Sequence, residues 1–163
     1  MINQKVQDAL NDQIKHELYS SYVYLAVSAY CHTISLPGFA NWFLQQSSEE
    51  KDHAMKIYNF ILDRGGKVKL QAIDSPPSEY GTTLQIAQKA LEHEQKVTGL
   101  IDKLYELAVK EGDLPAQMML QWFINEQVEE EKNAQLLIDQ ITMVGDNRAA
   151  LLMMDMELGK RAF

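Results

Sequence analysis

The chain has 163 residues, 46% hydrophobic and 23% charged, with a formal net charge of -8. This is the composition of a folded domain, and acidity without clustered Lys and Arg excludes broad nucleic-acid binding, which needs concentrated positive charge. One cysteine, Cys31, rules out an intrachain disulfide; with no membrane-length apolar run and no apolar leader in residues 1–10, the expectation is one cytoplasmic domain over 1–163.

Gly and Pro divide the chain into long helical intervals. The first, about 5–33, ends before Pro37-Gly38, which separates it from the second at about 39–64. Gly65-Gly66 closes the second interval, and residues 67–81, with Pro76-Pro77 and Gly81, form a long linker. The third interval runs about 83–111, with Thr82 or Thr83 as N-cap and Gly112 as C-cap. The fourth runs about 115–144, and a short fifth helix is expected at about 148–159. Short turns make helices one and two antiparallel, and likewise three and four. Fifteen extended residues at ~3.3 Å each reach about 50 Å, enough to cross a bundle. The fold class is therefore all-α: a four-helix bundle with a long crossover between helices two and three.

Core-facing positions at alternating three- and four-residue steps are mainly apolar toward the helix ends. Helix one places Leu10, Ile14, Glu17, Ser21 and Tyr24 on this face. Helix two places Phe43, Gln46, Glu50, His53 and Ile57 there, and helix three Leu91, Glu94, Thr98 and Ile101. Helix four contributes Phe123, Gln127, Glu130 and Ala134. Each stripe thus carries a carboxylate near its middle, at about one level of the bundle. The offsets repeat: Glu17 to Glu50 and Glu94 to Gln127 are both 33 residues, and Glu17 to His53 and Glu94 to Glu130 are both 36.

Burying one carboxylate costs several kcal/mol even after relaxation, and four that converge also repel one another. No Lys or Arg falls on a stripe; Lys15, Lys96 and Lys132 lie two residues from a stripe Glu, about 200° around the helix. Two divalent cations would neutralise the set, with neutral His53 as a nitrogen ligand. One such Glu alone would read as solvated surface; four at one level do not. Oxygen-rich ligation with one imidazole suits Fe²⁺, Mn²⁺ or Zn²⁺.

A Glu from each of two helices plus Glu-x-x-His on helix two resembles the ferritin-like di-iron carboxylate family. The most specific stretches are Ser47-Ser-Glu-Glu-Lys-Asp-His53 and Trp122-Phe-Ile-Asn-Glu-Gln-Val-Glu-Glu-Glu131. Helix four reads Gln127-Val-Glu-Glu130 in place of a second Glu-x-x-His, which is similar to prokaryotic non-haem ferritins. The resemblance implies one iron held by Glu17, Glu50 and His53, and a second by Glu94 and Glu130, with Glu50 bridging. Gln127 is implied as a neighbour of the second iron. A third iron site is implied at Glu49, Glu126 and Glu129, with Glu130 shared; on residues alone these three equally fit a solvated acidic face. Tyr24 matches a tyrosine beside the centre that takes part in electron transfer, or else is a core tyrosine. Trp122 reads as core and Glu131 as surface. Lys51 stands where haem-binding relatives place a methionine, so no haem is expected.

The resemblance further implies an iron-storage protein with ferroxidase activity, using O₂ or H₂O₂, and a homo-oligomeric cage of 24 subunits. Apolar residues of the fifth helix, Leu151, Leu152, Met153, Met154, Met156 and Leu158, are expected to pack between subunits rather than fold back on their own bundle. Glu111 and Asp113 are candidate linings of an iron inlet. Two rivals stand: a di-iron peroxidase or oxidase without storage, and a non-catalytic helical assembly protein.

Overall fold

The apolar intervals fold as helices α1 (Gln4–Thr33), α2 (Pro37–Asp63), α3 (Thr83–Lys110), α4 (Leu114–Val144) and α5 (Arg148–Leu158). They belong to a computed structural model that describes residues 1–162. No helix among these residues is long and apolar enough to cross a membrane.

Side chains cap four of the five N-termini. Asn3 accepts from the backbone N–H of Lys5 and Val6, Asp113 from Ala116, and Asn147 from Ala150. Thr82 and Gln85 form a reciprocal capping box on α3. At the other end of α3 the C-cap is Glu111, not Gly112; Gly112 lies one residue further, at φ 65°, the left-handed turn that glycine adopts without a Cβ clash.

The start of α2 is the exception. Pro37 and Gly38 lie inside the first turn rather than in the preceding loop, because proline at the first helical position forfeits only a donor that would be unpaired anyway. Leu36 cannot cap. Instead the buried Asp155 of α5 accepts from the Phe39 N–H at 2.9 Å. A carboxylate at a helix N-terminus also meets the positive end of the helix dipole. Gly38 permits this docking, since a Cβ there would stand 1.6 Å from the Asp155 carbonyl oxygen.

Residues 67–81 run along α1 from its start toward its end. Near the start, Asn11 bonds the backbone of Lys67 and Lys69, and Gln7 accepts from the Lys67 N–H. Near the end, Tyr30 donates to the Gly81 carbonyl and its ring packs edge-on against the buried Tyr80. The crossover thus delivers α3 antiparallel to α1 and parallel to α2.

The core is in two parts. One cluster includes Leu10, Ile14, Ile57, Ile101, Leu120 and Phe123; the other includes Tyr24, Phe39, Phe43, Ile86, Leu137 and Ile141. Along every long helix the polar stripe residues fall between them. On α5, Leu151, Met154 and Leu158 pack against the second cluster of their own bundle, contrary to the expectation that the whole apolar set packs between subunits. Leu152, Met153 and Met156 face outward, each at least 60% exposed.

Gly38→Ala should force α5 off α2, because the added methyl cannot fit beside Asp155. We expect a loss of about 1–3 kcal/mol in thermal unfolding and faster amide exchange across residues 148–158. Unchanged exchange there would show that α5 does not dock as described.

Candidate metal centre

Between the two apolar clusters, Glu17 of α1, Glu50 of α2 and Glu94 of α3 are each only 1% exposed. Glu130 and Gln127 of α4 and His53 of α2 are also buried. Ligand atoms of Glu17, Glu50 and His53 lie within 4.8 Å of one another. A second such group joins His53, Glu126 and Glu130. His53 Nδ1 lies 3.4 Å from Glu50 Oε2 and 3.9 Å from Glu17 Oε2, while Nε2 lies 3.9 Å from Glu126 Oε1.

Most of these carboxylates are held from outside the centre. Gln13 donates to Glu17 Oε1 at 2.8 Å, from one turn earlier on α1. Gln46 donates to Glu130 Oε2 at 2.9 Å. The Tyr24 hydroxyl donates to Glu94 Oε1, and Gln127 donates to Glu94 Oε2 at 3.2 Å. Gln13 could have been read from the sequence, since positions four apart on a helix are neighbours. The partner of Gln46 could not, because it lies on another helix.

Among the described residues, two buried carboxylate oxygens of this layer remain without a hydrogen-bond donor: Glu17 Oε2 and Glu50 Oε2, the pair that faces His53 Nδ1. Burial, reinforced by the neighbouring Glu50 carboxylate, pushes the Glu17 carboxyl well above its ordinary range. Burial and the Glu94 charge do the same to Glu50. Glu94 is also raised by burial, against the hydrogen bonds from Tyr24 and Gln127. Glu130 is raised to about 7 by burial and by Glu94. Without a cation the cluster therefore keeps protons that water would remove. The donor set, carboxylate oxygens with one imidazole and with orphaned oxygens aimed inward, fits divalent cations of the iron class.

The remaining candidates are distributed differently. Glu126 is half-buried and turned toward His53, and Glu129 is exposed. Glu49 is paired with Arg161, a residue of the chain beyond α5, at 2.7 Å. That cation lies outside every helical stripe. Trp122 is 37% exposed, not core: one side of its ring meets His53 and Phe123, and Lys56 Nζ sits 4.1 Å from its centroid. Glu131 is half-buried and accepts from Thr98 Oγ1 at 2.6 Å, so it too belongs to the packed face rather than open surface. Neither residue suggested for an iron inlet is free. Asp113 accepts from Arg64 and caps α4, and Glu111 accepts from Lys5 and Asn3.

Behind Tyr24, His93 packs edge-on against the phenol ring at 5.6 Å and shares a 2.7 Å bond with Ser20. Burial, aided by Lys96, lowers the His93 pKa to about 4, so the ring is neutral. His93 also lines a cleft of about 440 Å³ with His16, Tyr19, Tyr80 and Lys89, outside the carboxylate layer.

Residues 7–144 match the ferritin-like domain family. The chain is 39% identical to proteins named bacterial non-heme ferritin from Staphylococcus aureus and Staphylococcus saprophyticus, over 100% of this chain and 98% of each relative. Among solved structures, an Archaeoglobus fulgidus ferritin engineered to a closed form superposes with a TM-score of 0.99 at 44% identity, covering 100% of this chain and 99% of that one. An open-pore ferritin from the same archaeon gives 0.98 at 42% identity, over 99% of this chain and 100% of its own. Whole-length identity at this level and a shared fold place the carboxylate layer in a known setting: the chain belongs to the ferritin family.

Proposed function

We propose that this protein binds pairs of Fe²⁺ in the carboxylate layer, oxidises them, and stores the ferric product inside an oligomeric shell. The observation that carries this reading is the pair of orphaned buried oxygens on Glu17 and Glu50, aimed at the imidazole of His53. A cation there would satisfy both oxygens and offset the desolvation that now holds the carboxyls protonated. Glu17, Glu50 and His53 would hold the first iron. Glu94 and Glu130 would hold the second, with Glu50 shared and Gln127 beside it.

Iron is the substrate. Each Fe²⁺ gives up one electron, so a pair reduces O₂ to H₂O₂, or H₂O₂ to two waters, with two protons consumed. The protein needs no nucleophile or general-base triad. Its residues bind, orient and neutralise: Gln13 and Gln46 hold the outer oxygens of Glu17 and Glu130, and Tyr24 holds Glu94. The hydrogen bond from Tyr24 to the Glu94 carboxylate supports a part for this tyrosine in electron transfer beside the centre.

Storage needs an enclosed volume, hence assembly. The outward face of α5, with the exposed Leu152, Met153 and Met156, gives that assembly an apolar contact. The ferritin names of the relatives support a cage, and 24 subunits is the number we expect.

Aerobic loading of metal-free protein, followed by sizing and iron counting, should give a large shell holding far more than three irons per subunit. Glu50→Ala should slow loading at least about tenfold, since it removes the ligand shared by both ions. A small oligomer that stops at two irons would leave a di-iron enzyme without storage.

The raised carboxyls set a pH dependence with a definite sign. Between the ordinary carboxylate range and about 7, the value for Glu130, the folded metal-free protein keeps protons that the unfolded chain has lost, so rising pH favours unfolding. Metal ligation requires those protons to leave. The Tm of Zn²⁺-loaded protein should therefore exceed that of metal-free protein by a margin that widens from about pH 5 to about pH 8. A margin independent of pH would mean that the bound ions do not use these carboxyls.

A further inference from the structure

An outlet from the carboxylate layer past Glu49, on the α2 side, would meet a cation of the chain itself. Arg161 lies three residues past α5, and its position is fixed on several sides. Its Nη2 donates to Glu49 Oε2 at 2.7 Å and its Nη1 to Gln46 Oε1 at 2.6 Å. The guanidinium lies over the Trp42 ring, 5.0 Å from the centroid. Asn41 Nδ2 donates to the Arg161 carbonyl at 2.9 Å, which anchors the backbone on α2. The Asp155 cap on α2 anchors the preceding helix in turn.

Gln46 links this arginine to the centre. Its carbonyl oxygen accepts from Arg161 while its amide nitrogen donates to Glu130 Oε2. An amide has one accepting and one donating end, so the arginine fixes which end faces the carboxylates. With Arg161 in place, Gln46 presents N–H to the centre and cannot ligate a cation. With Arg161 gone, the Gln46 oxygen on the Glu49 side is free to ligate a cation without the amide turning.

We propose that Arg161 is a tethered cation that keeps this outlet closed to a third metal ion, and that a metal ion passing from the centre toward Glu49 must displace it. The inference rests on the two-metal reading above. A doubly charged ion between Glu49 and Glu130 would outcompete a single guanidinium for Glu49. Glu49 and Arg161 are both partly exposed, so the ion pair is screened and its displacement is cheap. The arginine thus sets the order of filling: centre first, outlet afterwards.

The test is calorimetric titration of metal-free protein with Zn²⁺, which binds such ligands without redox chemistry. Wild-type protein should bind two ions tightly and a third more weakly. Arg161→Gln should strengthen the third event by about two- to fivefold, the range expected for loss of one partly screened competing ion pair. Arg161→Lys, which keeps the charge but loses the two-pronged contact, should fall between. The double variant Glu49→Gln with Arg161→Gln should lose the gain, whereas a purely structural role for Arg161 would lower the Tm and leave the third event unchanged. Equal third-ion affinity in wild type and Arg161→Gln would overturn the proposal. Absence of the first two events in wild type would instead overturn the two-metal reading itself.

Discussion

Everything in this bundle is arranged around the cost of keeping four carboxylates out of water. An isolated carboxylate in a protein interior costs several kcal/mol, and Glu17, Glu50, Glu94 and Glu130 are buried together without an inward-facing Lys or Arg. The chain meets that cost in two ways. It splits its apolar core into two clusters with the polar layer between them, so that each helix is stabilised on both sides of the unfavourable level. It also binds outer oxygens with neutral donors, Gln13, Gln46, Gln127 and Tyr24, which orient the carboxylates without supplying charge. A lysine in their place would neutralise the layer and abolish the reason for a cation to enter.

The same logic explains why the one arginine near the layer comes from outside the bundle. A cation on a helical stripe would be permanent. Arg161, on a short tail beyond α5, is held instead by hydrogen bonds to the partly exposed Glu49 and to Gln46. The tail is located by Asp155 capping α2, so a helix-capping interaction and the carboxylate-bearing surface of α2 are parts of one connected structure.

Much of this was legible in the sequence because it is periodic. Helix positions followed from apolar spacing and from Gly and Pro. The inward Glu residues followed from being polar on an apolar stripe. What was not legible depends on residues far apart in the chain. The start of α2 at Pro37 needs a cap from Asp155, more than a hundred residues away. The pairing of Glu49 needs Arg161, which no helical period predicts. Trp122 looked like core because aromatic residues usually are, but it lies at the edge of the α4 stripe, where Lys56 covers one side of its ring. Ser21, on the helix-one stripe, is only half-buried: it braces α1 to α2 through reciprocal bonds with Ser47 rather than filling the core.

The most direct test of the account is a crystal structure of the protein soaked anaerobically in Fe²⁺, with anomalous scattering recorded at the iron edge. The account predicts two strong peaks inside the bundle, one bounded by Glu17, Glu50 and His53 and the other by Glu50, Glu94 and Glu130. Iron found only on the exposed acidic surface, with Glu17 and Glu50 still facing an empty, protonated interior, would contradict it.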